Sequence, residues 1–322
     1  MKMKINQTIK SMRLFYDKMS NCGKILLFIT ILLILIVFFK SLPISNNSLS
    51  SLKGKEGFSS NESFLFKKGD DIYDDFYSEI YDYLVLNIHK NDYEIKQIMN
   101  ATEPNGKSVV LDVGCGNGHH VSKLSEQKLR VVGIDISSSM IQKAKEKYPG
   151  LNFIKGDVLN QSQFKNNTFT HILCLYFTIY YFKDKDVFFR NCMDWLMPGG
   201  FLIVHIVNRE KFDPILPPGN PLYIVSPQRY AKKRITKTKI NFNEFEYTSN
   251  FDLIPNNNLA TFNEKFKFPN GNVRNNEHIL YMESEDEIAN RATNAGFLLQ
   301  GIIDLIHCAY DYQYLYVFAK PS

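Results

Sequence analysis

The stretch Leu111-Asp112-Val113-Gly114-Cys115-Gly116-Asn117-Gly118 follows the apolar pair Val109 and Val110, and a second apolar run, Val131 to Ile134, ends on Asp135. Glycines at a turn leaving a strand allow backbone angles closed to other residues and let a ligand approach the exposed N–H groups. A carboxylate at the end of the next strand can accept hydrogen bonds from two vicinal hydroxyls. The combination describes a pocket for a nucleoside-bearing cofactor, and with it an enzyme of small-group transfer.

Around this motif the chain alternates. Val109 to Val113, Val131 to Asp135, Leu151 to Lys155, Phe169 to Leu175 and Phe201 to Val207 read as successive strands, with helices near 119–127, 138–147 and 184–195. Strand–helix alternation predicts a mainly parallel α/β sheet that binds its ligand beyond the carboxyl ends of the strands. Upstream, Ile72, Phe76, Ile80 and Leu84 share a helical face, which predicts a helix packed on the sheet or covering its cleft, with Tyr73 and Tyr77 able to line the pocket.

The 322 residues can hold one large domain plus attachments, and an apolar share of 44% excludes general disorder. Residues 1–24 carry six cations against Asp17, so their +5 equals the formal charge of the whole chain. The remainder is nearly neutral, which argues against a broad nucleic-acid surface. A later cluster, Arg229, Lys232, Lys233, Arg234, Lys237 and Lys239, reads as a solvated face or as a site for an acidic substrate or headgroup. Five cysteines without metal-ligand spacing read as reduced, mostly buried thiols.

Ile25 to Phe39 is an uninterrupted apolar run flanked by Lys24 and Lys40. It predicts a single-pass transmembrane anchor over 25–40, with a cleaved secretory signal or a buried soluble helix as rival readings; positive-inside bias would put the basic segment on the cytosolic side, the orientation being left open. A helix of that length spans about 22 Å, short of a hydrocarbon layer of about 30 Å. Residues 41–69 read as a flexible linker, and 70–322 as the folded domain.

Asp112 to Gly118, Gly133-Ile134-Asp135-Ile136-Ser137, Gly156-Asp157-Val158 and Met197-Pro198-Gly199-Gly200-Phe201 resemble, in order, the signatures of class I S-adenosylmethionine-dependent methyltransferases. The resemblance implies a Rossmann-like, seven-stranded, mainly parallel sheet with its last strand antiparallel between the fifth and sixth. It implies S-adenosylmethionine as cofactor, with Gly114, Cys115, Gly116 and Gly118 near the methionyl portion and Asp135 on the ribose. Asp157 would face adenine between Ile136 and Val158, Asp112 would organise the loop or a cofactor amino group through water, and Leu175 and Tyr176 would border the acceptor channel. A nicotinamide-binding fold is the nearest alternative. The family's aspartate near the start of the fourth strand is replaced here by His171, which reads as a packing residue; His119 and His120 read as a surface helix.

Residues 208–283 interrupt the alternation before a helix at 285–295, whose start carries the capping-box pattern Ser284-Glu285-Asp286-Glu287. Strands at Phe297 to Asp304 and Gln313 to Ala319 complete the core. Within the insert, Ile240 to Tyr247 and Ala260 to Pro269 alternate as strands, and Asn270-Gly271-Asn272 marks a hairpin turn, so a β-rich cap over the cleft is expected. Methyl transfer needs an acceptor lone pair held in line, and His205, Tyr176 or Tyr180 could orient the acceptor or take its proton, with ordinary packing as the competing reading. The expected acceptor is nitrogen or oxygen of a small molecule. Alternatives are a lipid or isoprenoid head group, a protein or RNA, or a noncatalytic membrane adaptor that keeps the cofactor pocket.

Overall fold

The computed structural model describes residues 16–17, 19–41, 63–219 and 227–322, with side chains in the first helix described only to residue 34. Most of the basic segment, most of the linker and the side chains of the carboxyl part of the apolar run therefore lie outside what is described. The chain divides into two units, residues 1–55 and 56–322.

In the first unit, helix α1 (Asn21–Ser41) exposes most of its apolar side chains as far as residue 34, and Thr30 returns its hydroxyl to the Leu26 carbonyl. Among the described residues no helix is long and apolar enough to cross a membrane. The transmembrane anchor expected over 25–40 accordingly gains no support. The uninterrupted run is short for a bilayer.

The second unit begins with strand β1 (Phe64–Lys68), in the stretch expected to be linker, followed by helices α2 (Asp75–Val85) and α3 (Ile88–Thr102). The alternating core comprises β2 (Val109–Val113), α4 (His119–Glu126), β3 (Arg130–Asp135), α5 (Ser138–Lys147), β4 (Asn152–Lys155), β5 (Phe169–Cys174), α6 (Lys185–Trp195) and β6 (Leu196–Val207). The insert contributes β7 (Lys237–Asn241), β8 (Glu246–Ile254), β9 (Leu259–Lys267) and β10 (Val273–Tyr281), and the chain closes with α7 (Glu285–Asn294), β11 (Leu298–Asp304) and β12 (Gln313–Ala319).

The main sheet has seven strands in the order β11-β12-β6-β5-β2-β3-β4, parallel except for β12, which runs antiparallel to both β6 and β11. This is the topology the sequence resemblance implies. The pleat sends alternate residues to opposite faces. Leu111, Ile172, Leu202 and Val204 join Phe188, Phe189 and Trp195 of α6 in one core, while Val110, Leu173, Ile203 and Val317 meet Ile98 of α3 and Val121 and Leu124 of α4 in another.

The four strands of the insert and β1 form a second, five-stranded sheet, β1-β10-β9-β8-β7, antiparallel except that β1 lies parallel to β10. The hairpin turn at 270–272 joins β9 to β10 as expected, closed by the Phe268 N–H donating to the Asn272 carbonyl. Ile240 to Tyr247, read as one strand, instead bends between β7 and β8, with Phe242 N–H donating to the Phe245 carbonyl. Helix α2 is capped by Asp74, whose carboxylate accepts the Tyr77 N–H, and it packs Phe76 on Phe266 and Phe268 of the cap. On its other side Ser139 of α5 donates to Asp75, Lys143 pairs with Glu79, and Asn117 of the glycine turn donates to the Ser78 carbonyl. So α2 links cap, turn and main sheet.

Candidate active site

The chain leaving β2 turns through Gly114, Gly116 and Gly118 at φ of +65°, +50° and +84°, in the left-handed region that penalises any Cβ. Their neighbours separate their roles. A Cβ on Gly114 would lie 2.6 Å from Thr178 and one on Gly118 2.6 Å from Phe153, whereas one on Gly116 would meet only Tyr81, at 3.6 Å. The outer glycines let the turn and α4 pack; the middle one keeps backbone facing open space. The Gly116 N–H donates to Asp135 Oδ2 at 3.0 Å and the Ser137 N–H to Oδ1 at 2.9 Å, leaving each carboxylate oxygen a further lone pair. Burial raises the Asp135 carboxyl and these two donors pull it back.

A cavity of ≈ 430 Å³ opens from this rim. Gly114, Gly116, Asp135, Ile136, Asp157 and Val158 line it at the carboxyl ends of β2, β3 and β4; Asp157 also accepts the Leu159 N–H at 2.8 Å. It continues between Tyr73, Tyr77 and Tyr81 from the α2 region, Tyr176 and Tyr181 after β5, and Phe262 and His278 of the cap.

Several residues expected at the site lie elsewhere. Cys115 is buried beneath Gly133, Gly118 caps α4, and Leu175 joins the core under the sheet, so none lines the cavity. Asp112 is also set back from it: it is buried, and Oδ2 has no hydrogen-bond partner. Burial pushes its carboxyl up to about 6. Tyr180, a candidate for handling the acceptor, is fully buried and accepts the Val207 N–H at 2.8 Å. The 3₁₀ turn Thr178–Tyr181 points it into the core and turns Tyr181 to the cavity.

Tyr176 and His205 do line the cavity. Tyr176 adopts φ +51°, donates its hydroxyl to Asn91 and offers its ring face to the Lys90 ammonium, 3.7 Å from the centroid. The His205 Nδ1–H donates to the Tyr176 carbonyl, Nε2 makes no well-formed hydrogen bond, and burial, with Lys90 nearby, lowers its pKa to about 4. Lys90 pairs with Glu94 at 2.5 Å, and Glu94 also meets His120 at 3.2 Å. Burial alone would raise Glu94; Lys90 and His120 reverse that and hold it at about 2. His120 is therefore an inner residue, contrary to the surface reading, while His119 stays near the surface against Asp82. His171 stacks on Phe201 in β5, a packing role as expected.

A second network backs the cap side. Glu264 Oε1 accepts from Tyr247 at 2.7 Å and Tyr77 at 3.1 Å, and Oε2 accepts from His278 at 2.8 Å and Asn276 at 3.0 Å. The sequence reading missed it. Its signal was polar residues at the inward phase of alternating strands, Glu264 beside Phe262 and Phe266, and Asn276 and His278 before Leu280.

Residues 110–200 match the family model described as a methyltransferase domain. The chain is 32% identical over 114 residues to phosphoethanolamine N-methyltransferase 1 of Triticum aestivum, covering 34% of this chain and 22% of that protein. It is 26% identical over 130 residues to the ubiquinone biosynthesis O-methyltransferase of Rickettsia canadensis, covering 39% and 54%. The matching stretches thus span well under two thirds of these curated relatives. In fold it is similar to an S-adenosylmethionine-dependent methyltransferase from Clostridium acetobutylicum, at a TM-score of 0.56 and 16% identity over 77% of this chain and 97% of that one. Residues 110–200 therefore resemble a methyltransferase domain, within a fold similar to that of S-adenosylmethionine-dependent methyltransferases. The open backbone at Gly116 and the cavity-facing Asp135 fit S-adenosylmethionine, the cofactor of that class.

Proposed function

We propose that this protein transfers a methyl group from S-adenosylmethionine to nitrogen or oxygen of a small-molecule acceptor. One observation carries the reading: a single cavity joins the Gly116–Asp135 rim to an aromatic chamber closed by the cap. The bound cofactor supplies an electrophilic methyl carbon. Asp135 and the loop N–H groups hold the nucleoside portion, Ile136 and Val158 flank the base, and Asp157 receives its amino hydrogen. Tyrosine and phenylalanine rings exclude water and fix the acceptor, so positioning and desolvation provide much of the rate. Calorimetry on the full chain is expected to detect S-adenosylmethionine in preference to nicotinamide dinucleotides. The reverse preference defeats the reading.

A lipid or isoprenoid head group is the second reading, favoured by the exposed apolar side chains of α1, among them Ile25, Leu26, Phe28 and Leu33. It goes with membrane attachment of α1, the basic segment lying against a cytosolic, anionic surface. Flotation of the full chain with phosphatidylglycerol vesicles tests this attachment; a chain that stays in the dense fraction removes it.

A further inference from the structure

Cap strands β9 and β10 carry polar side chains where the pleat turns inward: Glu264 is 2% exposed and His278 2%. Burying a carboxylate without partners costs several kcal/mol, yet all four hydrogen bonds to Glu264 are made, and they are made by donors. Burial would raise its carboxyl; His278, Asn276 and Tyr247 together hold it below the usual range. An ionised oxygen on one side of an imidazole fixes the ring proton there. His278 in its neutral form therefore carries its proton on Nε2, toward Glu264, and presents a lone pair at Nδ1. The Tyr181 hydroxyl lies 2.9 Å from that nitrogen, and both Tyr181 and His278 line the cavity.

We propose that Tyr181, His278 and Glu264 form a relay that takes the proton of the acceptor, which is then an alcohol, a phenol or a protonated amine. This rests on the methyl-transfer reading above. The acceptor's X–H group donates to Tyr181 Oη. From an alcohol or phenol the proton leaves as the lone pair on X forms the bond to the methyl carbon; from a protonated amine it leaves first and frees that lone pair. The carbon–sulfur bond breaks with its electron pair going to sulfur. The X–H proton passes to Tyr181 Oη and the phenolic proton to His278 Nδ1. The imidazolium is stabilised by Glu264 and gives its proton to water after the product leaves. Tyr181 stays a neutral phenol throughout, in keeping with its burial, which raises its pKa. Glu264, remote from the acceptor, is a positioning residue. His205 is the poorer proton acceptor, because burial lowers its pKa to about 4 and no carboxylate bonds to its ring.

The groups facing His278 are few. Glu264 meets it from β9 and Tyr181 from the 178–181 turn, while the rings of Tyr73 and Tyr77, from the chain leading into α2 and from α2 itself, stand 6.0 and 6.1 Å away. Burial raises both phenols well above their ordinary range. Arg274, on the same face of β10, is neutralised by Asp74 at 2.8 Å.

The test uses the full chain with isotope-labelled histidine, followed by NMR from about pH 5 to 9, the window in which imidazole titrates. A spectrum of His278→Gln assigns the resonances. Expected are a protonated Nε2, a bare Nδ1, an Nδ1 resonance that moves in Tyr181→Phe, and loss of the Nε2 preference in Glu264→Gln. A proton on Nδ1, or an Nδ1 indifferent to Tyr181→Phe, overturns the relay, and Tyr181→Phe removes only a hydroxyl should Glu264→Gln not fold. Calorimetry with S-adenosylmethionine on the same samples separates the two readings: absent binding by the unaltered protein sinks methyl transfer, while binding with the wrong tautomer sinks the relay alone. With a phenol or primary amine that is turned over, His278→Gln should lower kcat roughly 10²- to 10⁴-fold. The KM for S-adenosylmethionine should hold, and the loss should shrink as pH rises past the acceptor's own pKa. An unchanged kcat and pH profile overturns the relay.

Discussion

Asp112 is sealed inside β2 with one oxygen unpartnered, and burial, against the opposing pull of His120, pushes its carboxyl to about 6. The folded chain thus keeps a proton that the unfolded chain releases, so stability present below the ordinary carboxyl range is lost as pH rises through about 6. Asp112→Asn removes that loss: above this range its unfolding free energy, read from urea denaturation, should rise by on the order of 2–3 kcal/mol, with no gain in acid. Equal midpoints at both pH values contradict the buried-charge argument. Glu94 has the opposite sign. Lys90 and His120 depress it against the push of burial, so its contribution is present above the usual range and lost as pH falls toward about 2. For Asp135→Asn we expect S-adenosylmethionine to bind about 10- to 100-fold more weakly with folding intact, since charge-assisted hydrogen bonds to the ribose become neutral ones; calorimetry showing equal affinity refutes that assignment. Spacing along the chain was enough to single out Asp112 and Asp135. It could not reveal that Asp135 also clamps the Gly116 N–H, because that contact exists only once two separate strands lie side by side.

The glycine turn separates into packing and binding positions that the sequence shows only as a repeat. Gly118→Ala drives a methyl into Phe153 as well as imposing a strained φ, and should cost about 2–4 kcal/mol in chemical denaturation. Gly116→Ala meets open space and should cost about 1–2 kcal/mol while weakening S-adenosylmethionine disproportionately. Equal stability losses in the two variants refute the distinction. Periodicity exposed the core strands and α4, α5 and α6 because their apolar faces are simple. It missed α3, whose inward face carries Lys90, Asn91 and Glu94 among Ile95 and Ile98, and so looks polar. It missed β1 because a short edge strand with exposed Phe64 and Phe66 is defined by its partner β10. The sequence reading named Tyr180 and not Tyr181 for a related reason: a 3₁₀ turn has no period long enough to reveal which of two adjacent side chains faces inward.

Over the whole molecule, the aromatic chamber depends on α2 being held between cap and sheet. Arg274, fully buried in β10, donates to both Asp74 oxygens at 2.9 and 2.8 Å and to the Ile72 carbonyl at 2.9 Å, fastening the start of α2 to the cap. Arg274→Met should destabilise the protein by about 3–5 kcal/mol, the cost of leaving one partner of a buried pair. Hydrogen exchange should then rise together in 72–85 and 246–281; faster exchange in the cap alone refutes the coupling. The basic cluster at 229–239 is partly spent on the fold as well. Arg229 pairs with Asp311, Arg234 donates to the Arg209 and Phe212 carbonyls, Lys239 meets Glu246, and Lys232, Lys233 and Lys237 are exposed. By itself the sequence determined the parallel core and the cofactor rim, since glycine conformational needs, strand-end carboxylates and apolar periodicity are local and repeat in order along the chain. Tertiary structure alone decided which side chains line and back the cavity. Lys90, Tyr181 and the β9–β10 hairpin that carries Glu264 and His278 lie far apart along the chain, and their side chains find their partners only after those segments have packed.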